Sequence, residues 1–170
     1  MLGFLFRRLT AEPQRGSTLF DAVTKIAREP HWYVEGKVPD TIDGRFAVLA
    51  TVTALVLVRL ERDDRRGDLV SVALTERFIE VMESEHRELG LGDPTLGRTV
   101  RKLVRSLAVR TERWRSAVKT ETNSTAATEE SLYKSGVSPE ALQHSAGALK
   151  RFWDKLQHVK LDDIEQGKLE

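Results

Sequence analysis

The chain has no cysteine, which excludes disulfides, thiolate metal sites and cysteine nucleophiles and suits a reducing compartment. It also lacks any apolar run long enough for a bilayer. Residues 47–58 carry no charge but are bracketed by Arg45 and Arg59, far short of the ~20 apolar residues a crossing helix needs. Net charge is nearly absent, with 27 Lys and Arg against 26 Asp and Glu, so any electrostatic function must lie in a local patch. No strand-like alternation bounded by hairpin turns occurs, and no internal repeat, so the expected class is all-α.

Catalytic constellations are missing as well. His31, His86, His144 and His158 stand apart from one another, with no His-x-x-x-His pair, and no metal is expected. Asp40, Asp43, Asp63 and Asp64 are explained by helix capping and solvation. The glycines of "GLGDPTLGR" have neither the dinucleotide nor the phosphate-loop spacing and read as a helix–helix turn. With no glycine-flanked serine elbow either, the chain is expected to be neither an enzyme nor a cofactor carrier.

What remains is helical spacing. The 170 residues suit one helical domain, 1–170, with an N-terminal arm over 1–16 and a flexible linker over 120–131 before a C-terminal helix. In the arm, Leu2, Phe4, Leu5, Phe6 and Leu9 stand beside Arg7 and Arg8. This order is wrong for a cleaved signal and suits either a packed helix or a headgroup contact. "TLFDAVTKIAR" puts Leu19, Phe20, Val23, Ile26 and Ala27 on one face, with Ser17 or Thr18 as cap and Pro30 as stop. The segment from Phe46 to Leu60 is apolar nearly all round, so it should be a long buried central helix. "ERDDRRGD" reads as a polar turn, and an amphipathic helix over Leu69–Leu89 stops at Gly90 and Gly92. Ser138-Pro139-Glu140 opens the C-terminal helix.

The helix from Arg98 to Lys119 has two unlike faces. Val100, Leu103, Val104, Leu107, Trp114 and Val118 share an arc about 100° wide, and the complementary side carries Arg98, Arg101, Lys102, Arg105, Arg113, Arg115 and Lys119. Glu112 is the one acid between Arg98 and Lys119. A basic surface of Arg98, Arg101, Lys102, Arg105 and Arg113 is therefore expected, open to RNA, anionic headgroups or water; no sequence-specific DNA module accompanies it.

At "VPDTIDGRF…LVRLER", and again at "LGLGDPTLGRTVRKLV", the sequence resembles the ubiquinol–cytochrome c chaperone family, whose mitochondrial members assist cytochrome b in assembly of respiratory complex III. "HWYVEGKVPDT" and "SLYKSGVSPEALQHSAGALKRFWDKL" extend the likeness, which is strongest from His31 to Val118. The resemblance implies a helical, non-catalytic chaperone for newly made cytochrome b, working near the ribosomal tunnel exit with a small partner protein. It also implies client-binding roles for Trp32, Tyr33, Pro39, Asp40, Asp43, Gly44, Arg45 and Phe46, which match the first block. Gly90, Gly92, Asp93, Gly97 and Arg98 match the second. Trp32, beside Pro30 and outside any helical stripe, is the residue most expected at the surface; Phe46 suits core or surface equally. With no long N-terminal targeting extension, the chain looks like a bacterial member, cytoplasmic and peripheral at the inner membrane. The alternative is a ribosome- or RNA-associated helical module that uses 98–119.

Overall fold

A computed structural model describes residues 16–90, 92–120 and 124–170. The expected arm, with its Leu2–Leu9 cluster, lies outside the described residues except for Gly16. Among the described residues there are eight helices and no strand, as the spacing predicted. They are α1 (Ser17–Ala27), α2 (His31–Val34), α3 (Ile42–Leu60), α4 (Asp64–Glu88), α5 (Asp93–Thr120), α6 (Ser124–Leu132), α7 (Pro139–Leu156) and α8 (Leu161–Glu165).

The centre of the bundle is α3. Thr41 caps it by accepting from the Gly44 amide at 3.2 Å, and from Ala47 to Leu60 nearly every side chain is buried. A helix without a polar face must be surrounded, and α3 packs against α1, α4, α5, α6 and α7, most extensively against α5. Its two interior threonines are fully buried and would carry a desolvation cost if unpaired. Each hydroxyl donates to the carbonyl one turn back, Thr51 to Ala47 and Thr53 to Leu49, both at 2.7 Å. At the far end Arg59 is buried, pairs with Asp63 and donates to the Val159 carbonyl at 2.6 Å, which fixes the α7–α8 connection to α3.

Two expected irregular stretches are corrected. Only Glu61–Asp63 separate α3 from α4, so most of "ERDDRRGD" is already helix. The turn is this tight because Gly67 lies in the first turn of α4 under the Leu60 carbonyl; a Cβ there would stand 2.2 Å from that oxygen. The expected linker 120–131 contains α6, with residues 121–123 outside the described residues. This helix has no apolar stripe because its buried side is made of small groups, Ala127, Thr128 and Ser131, followed by Leu132. Small side chains let α6 settle against α3, α5 and α7 without the large hydrophobics that periodicity detects. At the start of α1, Gly16 in a left-handed conformation takes the cap position in place of Ser17 or Thr18.

Leu55 is fully buried whereas Leu57 is half-buried. Leu55→Ala should therefore lower unfolding stability by about 2–5 kcal/mol, and Leu57→Ala by distinctly less, as read from urea denaturation midpoints.

Candidate functional site

The first motif block folds into a short helix and a turn that lean on the end of α1. Pro30 begins α2 with a backbone angle already suited to a helix. One turn of helix then carries Trp32 and Tyr33 back toward α1, whose last carbonyls have no partner within their own helix. The Trp32 indole N–H donates to the Ile26 carbonyl at 2.8 Å, and the Tyr33 hydroxyl to the Ala27 carbonyl at 2.9 Å. Trp32 is 2% exposed, which corrects its expected place at the surface: the indole is a cap for α1 and part of the core. Burial raises the Tyr33 phenol above its ordinary pKa, opposed in part by Arg45.

From α2 the chain runs to Thr41 with Val38 buried and Pro39 exposed. Gly44 is required here by close approach, since a Cβ would lie 1.9 Å from the Pro39 carbonyl oxygen. The rim is charged. Arg45 donates to Asp40 at 2.6 Å, a bond that holds the Asp40 carboxyl below the usual carboxylate range, and Lys134 reaches Asp43 at 2.5 Å.

Together these elements wall a groove of about 890 Å³. Phe20, Thr24 and Ala27 come from α1, Tyr33 and Val34 from α2, Ile42, Phe46 and Leu49 from α3, Val81, Met82 and His86 from α4, and Leu103 from α5. Val34 and Ile42 are 58% and 62% exposed, so its edge presents aliphatic surface to solvent. Phe46 is positioned from two sides: its ring lies 6.0 Å from that of Phe78, and the Arg110 guanidinium sits over it at 5.8 Å. Arg110 is held by Ser106 and by the Ser131 carbonyl at 2.7 Å. Burial, with the Arg113 charge adding to it, pushes its pKa down to about 10, so it remains a cation at neutral pH.

Of the residues expected to bind a client, the fold brings Tyr33, Asp40, Asp43, Arg45 and Phe46 to this groove. Trp32 and Gly44 are buried beneath it, and Pro39 is exposed but does not line it. The sequence reading missed Val34 and Ile42, which flank the motif, and gave no groove role to Val81 or to Met82, a core residue that also lines the groove. Glu83 stands three residues before His86, a helical carboxylate–histidine spacing also passed over; the His86 ring donates from Nδ1 to the Met82 carbonyl at 2.7 Å. Among the described residues no group of three or more His, Asp or Glu could hold a metal ion.

The basic face of α5 divides in two. Arg98, Arg101, Lys102 and Arg105 are exposed and make no ion pair among the described residues. Arg113 departs from expectation: it is half-buried, with its guanidinium on Glu130 at 2.8 Å and on the Ser131 hydroxyl at 3.3 Å. Arg115 pairs with Glu61 at 2.5 Å and also with Glu112. Glu130 and Glu61 belong to other parts of the chain, so the charge pattern of α5 alone could not reveal these pairs.

A family model described as ubiquinol-cytochrome C chaperone matches residues 34–170. The chain belongs to that family. No curated protein matches it. The crystal structure of the Cbp3 homolog from Brucella abortus superposes on 98% of this chain and 94% of its own, with a TM-score of 0.76 and 22% sequence identity; the two share a fold. The groove, apart from the part contributed by α1, Arg28, Pro30 and Tyr33, lies inside the matched range. Among the described residues no helix is long and apolar enough to cross a membrane.

Gly44→Ala forces the Pro39 turn away from α3. The expected loss is about 1–3 kcal/mol of stability, measured by chemical denaturation, with a helical circular dichroism spectrum retained.

Proposed function

We propose that this chain is a non-catalytic assembly chaperone that holds an apolar segment of newly made cytochrome b in the groove between α1, α2, α3 and α4 and so assists assembly of the cytochrome bc1 complex. The observation that carries this reading is that five motif residues, Tyr33, Asp40, Asp43, Arg45 and Phe46, converge on one groove with aliphatic edges, in a chain of the ubiquinol-cytochrome c chaperone family. An apolar floor offers a desolvated resting place to a segment not yet in the bilayer, and a charged rim keeps the empty site soluble. The protein acts in the cytoplasm, peripheral to the inner membrane, where such a segment emerges. The Trp32 contribution is indirect: it shapes the wall and does not touch the client.

The test is a photo-crosslinker placed at Val34 or Ile42, the exposed edge of the groove, in cells that make the complex. Capture of cytochrome b, with loss of assembled bc1 complex in a deletion strain and unrelated membrane enzymes spared, is the expected result. Normal bc1 levels and no captured cytochrome b would remove the reading.

A second reading rests on a different surface. Arg98, Arg101, Lys102 and Arg105 form an exposed cluster without ion pairs among the described residues, suited to ribosomal RNA at the tunnel exit or to anionic headgroups. Reversing these four charges should weaken sedimentation with ribosomes or anionic vesicles and remove its salt dependence while leaving the helical spectrum unchanged. Association that ignores both salt and reversal would defeat this electrostatic role. Arg113 is left out of the variant, since reversal there would break the contact with Glu130 and confuse folding with binding.

A further inference from the structure

Two histidines 113 residues apart in sequence meet where α2 packs on α7. His31 Nδ1 and His144 Nε2 are 3.1 Å apart, and the other ring nitrogen of His31 lies 3.1 Å from a Glu29 carboxylate oxygen. The His31 ring also rests against that of Trp32, with centroids 4.2 Å apart. The groove reading uses none of these groups.

The chain Glu29–His31–His144 has a limited proton capacity. A carboxylate only accepts, so His31 Nε2 carries a hydrogen toward Glu29. The bond to His144 then needs one hydrogen between two nitrogens. Either His144, neutral or as the cation, donates to a neutral His31, or His31 is the cation and donates to a neutral His144. A proton on both rings leaves N–H facing N–H and two like charges in contact, which breaks the bond. The other ionisable groups on the elements packed here are Arg28 before Glu29, Tyr33 on α2, Glu35 and Lys37 just after it, Glu140 one turn before His144 on α7, Lys150, Arg151, Asp154 and Lys155 further along α7, and Tyr133 and Lys134 after α6. None hydrogen-bonds to either imidazole, and Lys134 is engaged with Asp43.

The contact sits behind the groove wall. Pro30, Tyr33 and Val34 line the groove, while His31 faces α7. On that side the Tyr133 hydroxyl also ties the two together: it donates to the Gly36 carbonyl at 2.5 Å and shares a hydrogen bond with Ser145 at 2.8 Å.

We propose that His31 and His144 form a proton-operated latch: with at most one added proton it clamps α2 to α7, and with two it releases α2 and loosens the groove. An unfolded chain takes up both protons freely, so below the histidine range it binds more protons than the latched fold. The contribution of the latch is present at neutral pH and lost as pH falls. Its control of ligand binding rests on the groove reading above; the latch itself does not.

The test follows amide hydrogen exchange in the full chain between about pH 7.5 and about pH 5. The Gly36 and Val38 amides donate to the His31 and Trp32 carbonyls and report on α2, while α3 amides serve as reference. After correction for intrinsic rates, protection at 36 and 38 should fall about fivefold or more relative to α3 on acidification. In His144→Gln, whose amide can donate to His31 but does not titrate, the fall should disappear. Glu29→Gln, a milder exposed change, should shift the transition to lower pH, because the first added proton loses its carboxylate. A wild-type chain with no fall, or variants indistinguishable from it, would overturn the latch. A fluorescent apolar helical peptide serves as ligand in parallel: affinity that drops with the same pH profile supports control of the groove, and unchanged affinity across an opened latch overturns that control. A peptide that binds at neither pH counts against the groove reading, while the exchange data still decide the latch.

Discussion

Everything in this fold follows from the need to surround α3. A helix apolar on all sides cannot rest on a surface, and α1, α4, α5, α6 and α7 are disposed around it accordingly. Yet its N-terminus must emerge somewhere, because Thr41 and Asp40 belong to solvent. The cover of α3 is thus incomplete where it begins, and there Phe46 and Leu49 are only half-covered. The groove is the place where encirclement of the central helix stops.

Two arginines, Arg59 buried and paired with Asp63 and Arg110 half-buried, complete the enclosure. Arg59 joins α3 to the chain after α7, and Arg110 joins α5 to α6; each spends guanidinium hydrogens on a main-chain carbonyl, and each leaves Nε without a partner. A planar fork can serve a carbonyl and a second group at once, and in Arg110 it also lies over the Phe46 ring. An ammonium group could not do all three. The cation that helps close the bundle thereby also orients an aromatic at the groove.

How much of this could be read in advance depended on whether a feature is carried by one segment or shared by two. The buried α3 was legible because both its apolar character and its bracketing charges are local, and α7 because Ser138 and Pro139 mark its start. The groove was half legible: the motif block pointed to Tyr33, Asp40, Asp43, Arg45 and Phe46, but Val81 on α4 differs from a core valine only in what lies opposite. Trp32 misled because its acceptor is a main-chain oxygen six residues earlier, which no side-chain pattern records. Arg113 misled because Glu130 arrives on another helix, and α6 went unseen because Ala127, Thr128 and Ser131 have no hydrophobic period.

The wall formed by α2 is held by donors on side chains and acceptors on the main chain: Trp32 to Ile26, Tyr33 to Ala27, Tyr133 to Gly36. The two halves of each bond are therefore exposed unequally to mutation. Any residue at position 26 or 27 supplies a carbonyl, while few can supply the indole or phenol that reaches it. Substitutions that leave α1 helical would leave the acceptors where they are, and the same substitutions among the three aromatics would undo the wall. Divergence along this chain can thus proceed on one side of the joint while the other stands still, and the joint would look, residue by residue, as if the aromatics had no partners at all.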